Sequence, residues 1–191
     1  MATRERELNS LTNVTVIVVL AIVTMTFAAM TTVFIVRSQD SRFWGHLLIP
    51  HLLWATTAIL IASSIVLERG RRRLMAGDQS RFFKLTSLAT ALGVLFLIGQ
   101  VTAWFEILGS GISLEHNAHS WFIFLFSGLH GLHIIVGLGG LAYLLIRTRQ
   151  PAGGPKYQMK TRVVANGVSI FWHYLDFLWI VLFGLLLVWK R

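Results

Sequence analysis

Five long apolar runs dominate this chain, and they leave few folds open. They lie at about 13–36, 44–67, 83–108, 118–146 and 163–189, each near or above the ~20 residues a helix needs to cross a hydrocarbon core. Only 13% of the 191 residues are charged and 55% are hydrophobic. Too little polar surface remains to solvate a soluble domain of this length. A soluble helical bundle would also show polar faces laced with i,i+4 charge pairs, which these runs lack. The reading is an all-α, polytopic membrane bundle of five transmembrane helices forming a single domain over residues 1–191.

The first run is too long for the core of a cleavable leader, and no small-residue cleavage site follows it, so it is expected to stay as helix 1. Cysteine is absent, which excludes disulfides, thiolate metal sites and cysteine nucleophiles. The formal net charge of +9 is segregated rather than diffuse. Thirteen of the seventeen basic residues fall at the N-terminus or in the segments 68–84 and 147–162, whereas Arg37, Arg42, Lys190 and Arg191 fall on the other side. That asymmetry predicts a cytoplasmic N-terminus and an outside C-terminus. It also predicts basic loops facing anionic headgroups or acidic partners rather than nucleic acid. The segments 68–82 and 151–155 read as loops at the basic side; Arg37–Asp40 and Gly109–Gly111 read as turns at the other. Pro50 falls in the first turns of helix 2, where a missing N–H is tolerated.

Ionisable side chains inside such runs are costly and point to function or to buried pairing. His130 and His133 share one face of helix 4, and His173 and Asp176 share one face of helix 5. At ~1.5 Å per residue from the basic ends, His133 and Asp176 both lie about 21 Å deep, His130 about 26 Å and His173 about 17 Å. Equal depth on consecutive antiparallel helices makes a His133–Asp176 contact the preferred expectation. Three readings stay open for the cluster: mutual partners that set helix register, a proton path or acidic lipid site, and haem or metal ligation. A bis-histidine haem would take His130 or His133 with His173, but Phe171, Trp172 and Tyr174 crowd that face. Gln100 is expected to hydrogen-bond across helices. Glu106 beside Trp104 reads as an interfacial anchor. His46, His51, His116 and His119 read as solvated histidines at the outer ends, with surface metal binding the alternative. The glycines of helix 4 suggest close helix neighbours on several sides.

The run Ser127-Gly128-Leu129-His130-Gly131-Leu132-His133-Ile134-Ile135-Val136-Gly137 resembles the penultimate helix of cytochrome c oxidase subunit III. Phe171-Trp172-His173-Tyr174-Leu175-Asp176-Phe177-Leu178-Trp179 is similar to that family's last helix, with its Trp-His-aromatic-x-Asp-x-x-Trp pattern. Pro50, Thr57 and Ser63-Ser64, then Gly99-Gln100 and Trp104-Phe105-Glu106, resemble the two helices before. The likeness runs in order over about 44–189 and points to the short, five-helix bacterial form.

The resemblance implies an accessory subunit III of a haem–copper terminal oxidase, in aerobic electron transport from cytochrome c or quinol to oxygen. It implies no catalytic or metal-binding residue and no cofactor in this chain, with haem and copper in partner subunits. It further implies direct contact with subunit I, association with subunit II, bound phospholipid, support of proton uptake, and a multi-pass place in the bacterial inner membrane. His130, His133, His173, Asp176, Glu106, Gln100, Trp172 and Trp179 would then form a structural, lipid-related or proton-related polar core. Two departures stand out. The two extra N-terminal helices of the longer form are missing, so an intact lipid cleft would need a wall from another subunit. Val23 also stands where many members carry an acid in the helix corresponding to helix 1. A nitric-oxide-reductase-associated relative, a b-type haem membrane anchor and a proton-coupled transporter are the alternatives.

Overall fold

A computed structural model of the protein describes residues 2–38, 51–109, 118–149 and 154–188. Among these residues there are five helices and no strand: α1 (Ala2–Ser38), α2 (His51–Met75), α3 (Gln79–Gly109), α4 (Ala118–Arg149) and α5 (Pro155–Val188). All five contain a stretch long and apolar enough to cross a membrane. Pro50, His46, His116, Gln39-Asp40, Ser110-Gly111 and Pro151 lie outside the described residues.

The helices outrun the apolar segments that nucleate them. The segment 68–82, expected as a loop, is helical except for Ala76–Asp78. Arg, Glu, Leu and Met are good helix formers, so nothing stops α2 where its apolar character ends. Gly77 stops it. Its φ of 86° is a left-handed value that a Cβ would disfavour. There the Asp78 N–H bonds to the Arg73 carbonyl at 2.9 Å and the Gly77 N–H to the Leu74 carbonyl at 3.0 Å, a Schellman closure. Asp78 then caps α3, its Oδ1 accepting from the Arg81 N–H at 3.0 Å. Two residues thus end one helix and begin the next.

This tight turn makes α2 and α3 an antiparallel hairpin. α2 buries Leu53, Thr56, Leu60, Ser63, Leu67, Gly70 and Leu74, and α3 buries Phe82, Thr86, Ala89, Gly93, Phe96, Gln100, Ala103 and Ile107. The alternating steps of three and four are a heptad repeat, which keeps one seam of each helix against its partner. Polar side chains stitch the seam: Ser63 Oγ donates to the Ala89 carbonyl at 3.0 Å and Gln100 Nε2 to Thr56 Oγ1 at 3.0 Å.

α4 packs on α3, α5 and α1, while α5 packs on α4, α2 and α1. The central core joins Leu60, Phe96, Ile134, Leu141, Trp172 and Trp179. A second cluster holds α1, whose Val23, Phe27 and Phe34 pack on Phe122, Phe126, Leu178 and Leu182 of α4 and α5. The basic segments gather at one end of the bundle. Gln79 at the start of α3 donates to the Thr148 carbonyl near the end of α4 at 3.0 Å. Tyr157 at the start of α5 donates to the Arg147 carbonyl at 2.7 Å.

Candidate functional site

Trp172 sets the rotation of α5, and the site follows from it. Its ring is fully buried between two glycines: a Cβ at Gly93 of α3 would stand 2.7 Å from the indole, and one at Gly137 of α4 would stand 3.0 Å away. With the indole wedged between α3 and α4, the next position on the helix turns about 100° away, and His173 faces α2. Asp176, one turn on, lies on the same side.

His173 Nδ1 there shares a hydrogen bond with Ser64 Oγ, and its Nε2 lies 3.8 Å from Glu68 Oε2. The Glu68 carboxylate receives a two-pronged bond from Arg71, Nε to Oε2 at 2.8 Å and Nη2 to Oε1 at 2.9 Å. Arg72 Nε adds a third at 2.8 Å. Arg71 Nη1 continues to Asn166 Oδ1 of α5 at 3.3 Å. Such a planar fork holds a partly buried carboxylate better than a single ammonium would. Asp176 sits deeper, beside Ser64, lining a groove of about 520 Å³ between α2 and α5 with Ile61, Ile65, Phe177 and Ile180. It is 5% exposed, with the Ser64 hydroxyl facing its carboxylate. The Ser64–His173–Glu68–Arg71–Asn166 chain therefore runs from the basic end inward, with Asp176 at its inner end.

The expected His133–Asp176 contact is not made. His133 Nδ1 bonds to the Leu129 carbonyl of its own helix at 2.7 Å, and its ring lies 5.6 Å from Phe27 of α1. The two residues match in depth but not in direction, because Trp172 turns Asp176 toward α2. His130 points elsewhere again. It is fully buried, stacked on Trp179 with centroids 5.0 Å apart and planes 29° apart, and edge-on to Phe96 at 5.9 Å. His130, His133 and His173 thus face three different sets of neighbours. Among the described residues no group of three or more His, Cys, Asp or Glu stands close enough to hold a metal ion.

The other singled-out residues are spread over the bundle. Trp179 Nε1 donates to Thr57 Oγ1 at 3.0 Å, Gln100 belongs to the α2–α3 seam, and Glu106 is exposed on α3. Trp104 is not only an interfacial ring, since its Nε1 donates to Ser127 Oγ of α4 at 2.9 Å. His51 is exposed. Val23 is 3% exposed and packs in the apolar cluster of α1. Glu68, Arg71 and Asn166 escaped the sequence reading. The available signal was one acid three and four residues ahead of Arg71 and Arg72 in an otherwise basic run, the spacing of helical ion pairs.

These features define a class first: a multi-pass helical membrane protein, several of whose intramembrane polar groups bond from one helix to another. The cytochrome c oxidase subunit III family profile matches residues 46–191, and the chain belongs to that family. It is 31% identical over 125 residues to cytochrome c oxidase subunit 3 of Synechocystis sp., covering 65% of this chain and 51% of that protein. It is 34% identical over 135 residues to the Thermostichus vulcanus subunit 3, covering 71% and 64%. To the Corynebacterium diphtheriae subunit 3 it is 30% identical over 138 residues, covering 72% and 65%. The matched region thus spans about half to two thirds of each relative.

Proposed function

We propose that this chain is the accessory subunit III of a haem–copper terminal oxidase, working in the bacterial inner membrane without a cofactor or catalytic centre of its own. Family membership across 46–191 carries the reading. The geometry supports it, because the intramembrane histidines are engaged in packing and in bonds within and between helices. His130 is a stacked core ring, His133 bonds its own helix, and His173 bonds Ser64 and approaches Glu68. A chain so arranged supplies rigidity and surface to a complex whose haem and copper lie in other subunits. Its role is to hold the catalytic subunit I, associate with subunit II, retain phospholipid and sustain proton uptake. The basic end faces the cytoplasm, with the N-terminus there and the C-terminus outside.

The test is affinity purification of the tagged chain from its native membrane, with mass spectrometry of the partners and an absorbance spectrum. Expected are stoichiometric oxidase subunits I and II in the complex, and no Soret band in the chain stripped of them. A Soret band that stays with the stripped chain and disappears in His173→Ala would replace this reading with a b-type haem anchor. Recovery with nitric oxide reductase subunits would move it to that branch of the family.

A further inference from the structure

The basic end of the α2–α3 hairpin holds a groove with a charge imbalance that the chain does not resolve itself. The groove has a volume of about 650 Å³ and is lined by Arg69, Arg72, Arg73, Arg81 and Lys84, with Ala76 and Leu85 completing its walls. All five cationic side chains are exposed. Two are compensated, Arg72 by Glu68 at 2.8 Å and Arg81 by Asp78 at 3.1 Å. Arg69, Arg73 and Lys84 have no carboxylate partner among the described residues, and no described acid lines the groove. Glu68 is turned to the α5 side, where it lines the other groove with His173 and Asp176.

The crowding is imposed by the fold. A Cβ at Gly70 would stand 3.2 Å from the Leu85 Cβ, so α2 and α3 meet closely just where their basic rows face each other. The Gly77-Asp78 turn then locks the two ends together. Like charges brought together without an anion repel, more strongly beside an apolar wall than in open water. Away from the helix end the α3 strip turns apolar at once. Leu85 completes the groove wall, and Leu88, one turn after Lys84, is 49% exposed. A cationic rim above an apolar track at the end of membrane-spanning helices matches an amphiphile with an anionic head.

We propose that this groove is a binding site for one anionic phospholipid, its phosphate held by Arg69, Arg73 and Lys84 and an acyl chain laid over Leu85 and Leu88. The inference needs only a membrane-spanning hairpin, not the oxidase assignment, so the two fail separately.

The test is native mass spectrometry of the full chain, free and within its complex, released from nanodiscs of phosphatidylcholine with phosphatidylglycerol. Three proteins are compared. They are the unmodified chain, the groove variant Arg69→Gln/Arg73→Gln/Lys84→Gln, and Arg149→Gln/Lys160→Gln/Arg162→Gln, which removes three exposed cations from α4 and α5 at the same end. Expected is one retained phosphatidylglycerol in the unmodified chain and in the α4–α5 variant. In the groove variant, selectivity over phosphatidylcholine should fall about a hundredfold, at about fivefold per basic side chain. Equal loss in both variants would reduce the effect to bulk surface charge and overturn the site, as would undiminished retention in the groove variant. Displacement by millimolar inorganic phosphate would show an anion site with no acyl contribution. Lipid held by the free chain but missing from the complex would make the groove a protein contact. Either result also overturns the proposal.

Discussion

Glu68 gathers Arg71, Arg72 and His173 around one carboxylate beside the α2–α5 contact. It accepts from both Arg71 and Arg72, but the two bonds differ in surroundings. The Arg71 side chain is 28% exposed and the Arg72 side chain 76%, against 25% for Glu68. Solvent screens the second pair, and exposed pairs contribute little. A double-mutant cycle in detergent is therefore expected to give about 1 kcal/mol of coupling for Glu68→Gln with Arg71→Gln, and close to none for Glu68→Gln with Arg72→Gln. Comparable coupling in the two cycles would mean that the burial difference has no energetic weight. Trp172 allows a second test. Gly93→Ala places a methyl against the indole of a close-packed core, and such overpacking costs about 1–3 kcal/mol. Gly139→Ala, where nothing lies within 4 Å, is expected to be neutral or slightly stabilising. If the loss comes from the indole, Trp172→Phe should relieve most of it, read as recovered melting temperature of the double variant.

At the scale of elements, the α2–α3 hairpin depends on its turn as much as on its seam. Gly77→Ala forces a Cβ into a left-handed conformation, and Asp78→Ala removes the cap of α3. Each is expected to cost about 1 kcal/mol. Hydrogen exchange should report the loss locally, with faster exchange in residues 72–82 and little change in α4. Uniform acceleration across all helices would instead mean that the hairpin opens only with the whole bundle. The turn also shows where sequence reading reaches its limit. The apolar runs marked each helix, because about 20 apolar residues have few other stable states in a chain of this kind. The ends were hidden, because Glu68 to Arg73 is polar in composition yet helical in propensity. Gly77-Asp78 is a short signal that has meaning only once the preceding basic run is known to be helical.

Over the whole molecule, α1 is held by one face against α4 and α5. Its Val23, Phe27 and Phe34 are buried, whereas Val14, Ile17, Val18, Ile22, Met25, Val33 and Val36 on its other faces are exposed. In reconstituted membranes a lipid-soluble photolabel is expected to mark Val14, Val18, Met25 and Val36, and to spare Val23, Phe27 and Phe34. Labelling of Phe27 or Phe34 would show that α1 does not stay docked on α4 and α5. What the sequence determined by itself was the membrane class, the number of spans, the gathering of the basic segments and the family. Each follows from one-dimensional quantities: length of apolar run, placement of charge, order of motifs. Depth was legible in the same way, since His133 and Asp176 can be placed by counting residues along a helix of constant rise. Direction was not. Which face of α5 meets which neighbour was decided by Trp172 entering the space between Gly93 and Gly137, a fit between three helices that no single helix encodes. That rotation parted Asp176 from His133, brought His173 to Ser64 and near Glu68, and left the Asp176 carboxylate in the groove between α2 and α5.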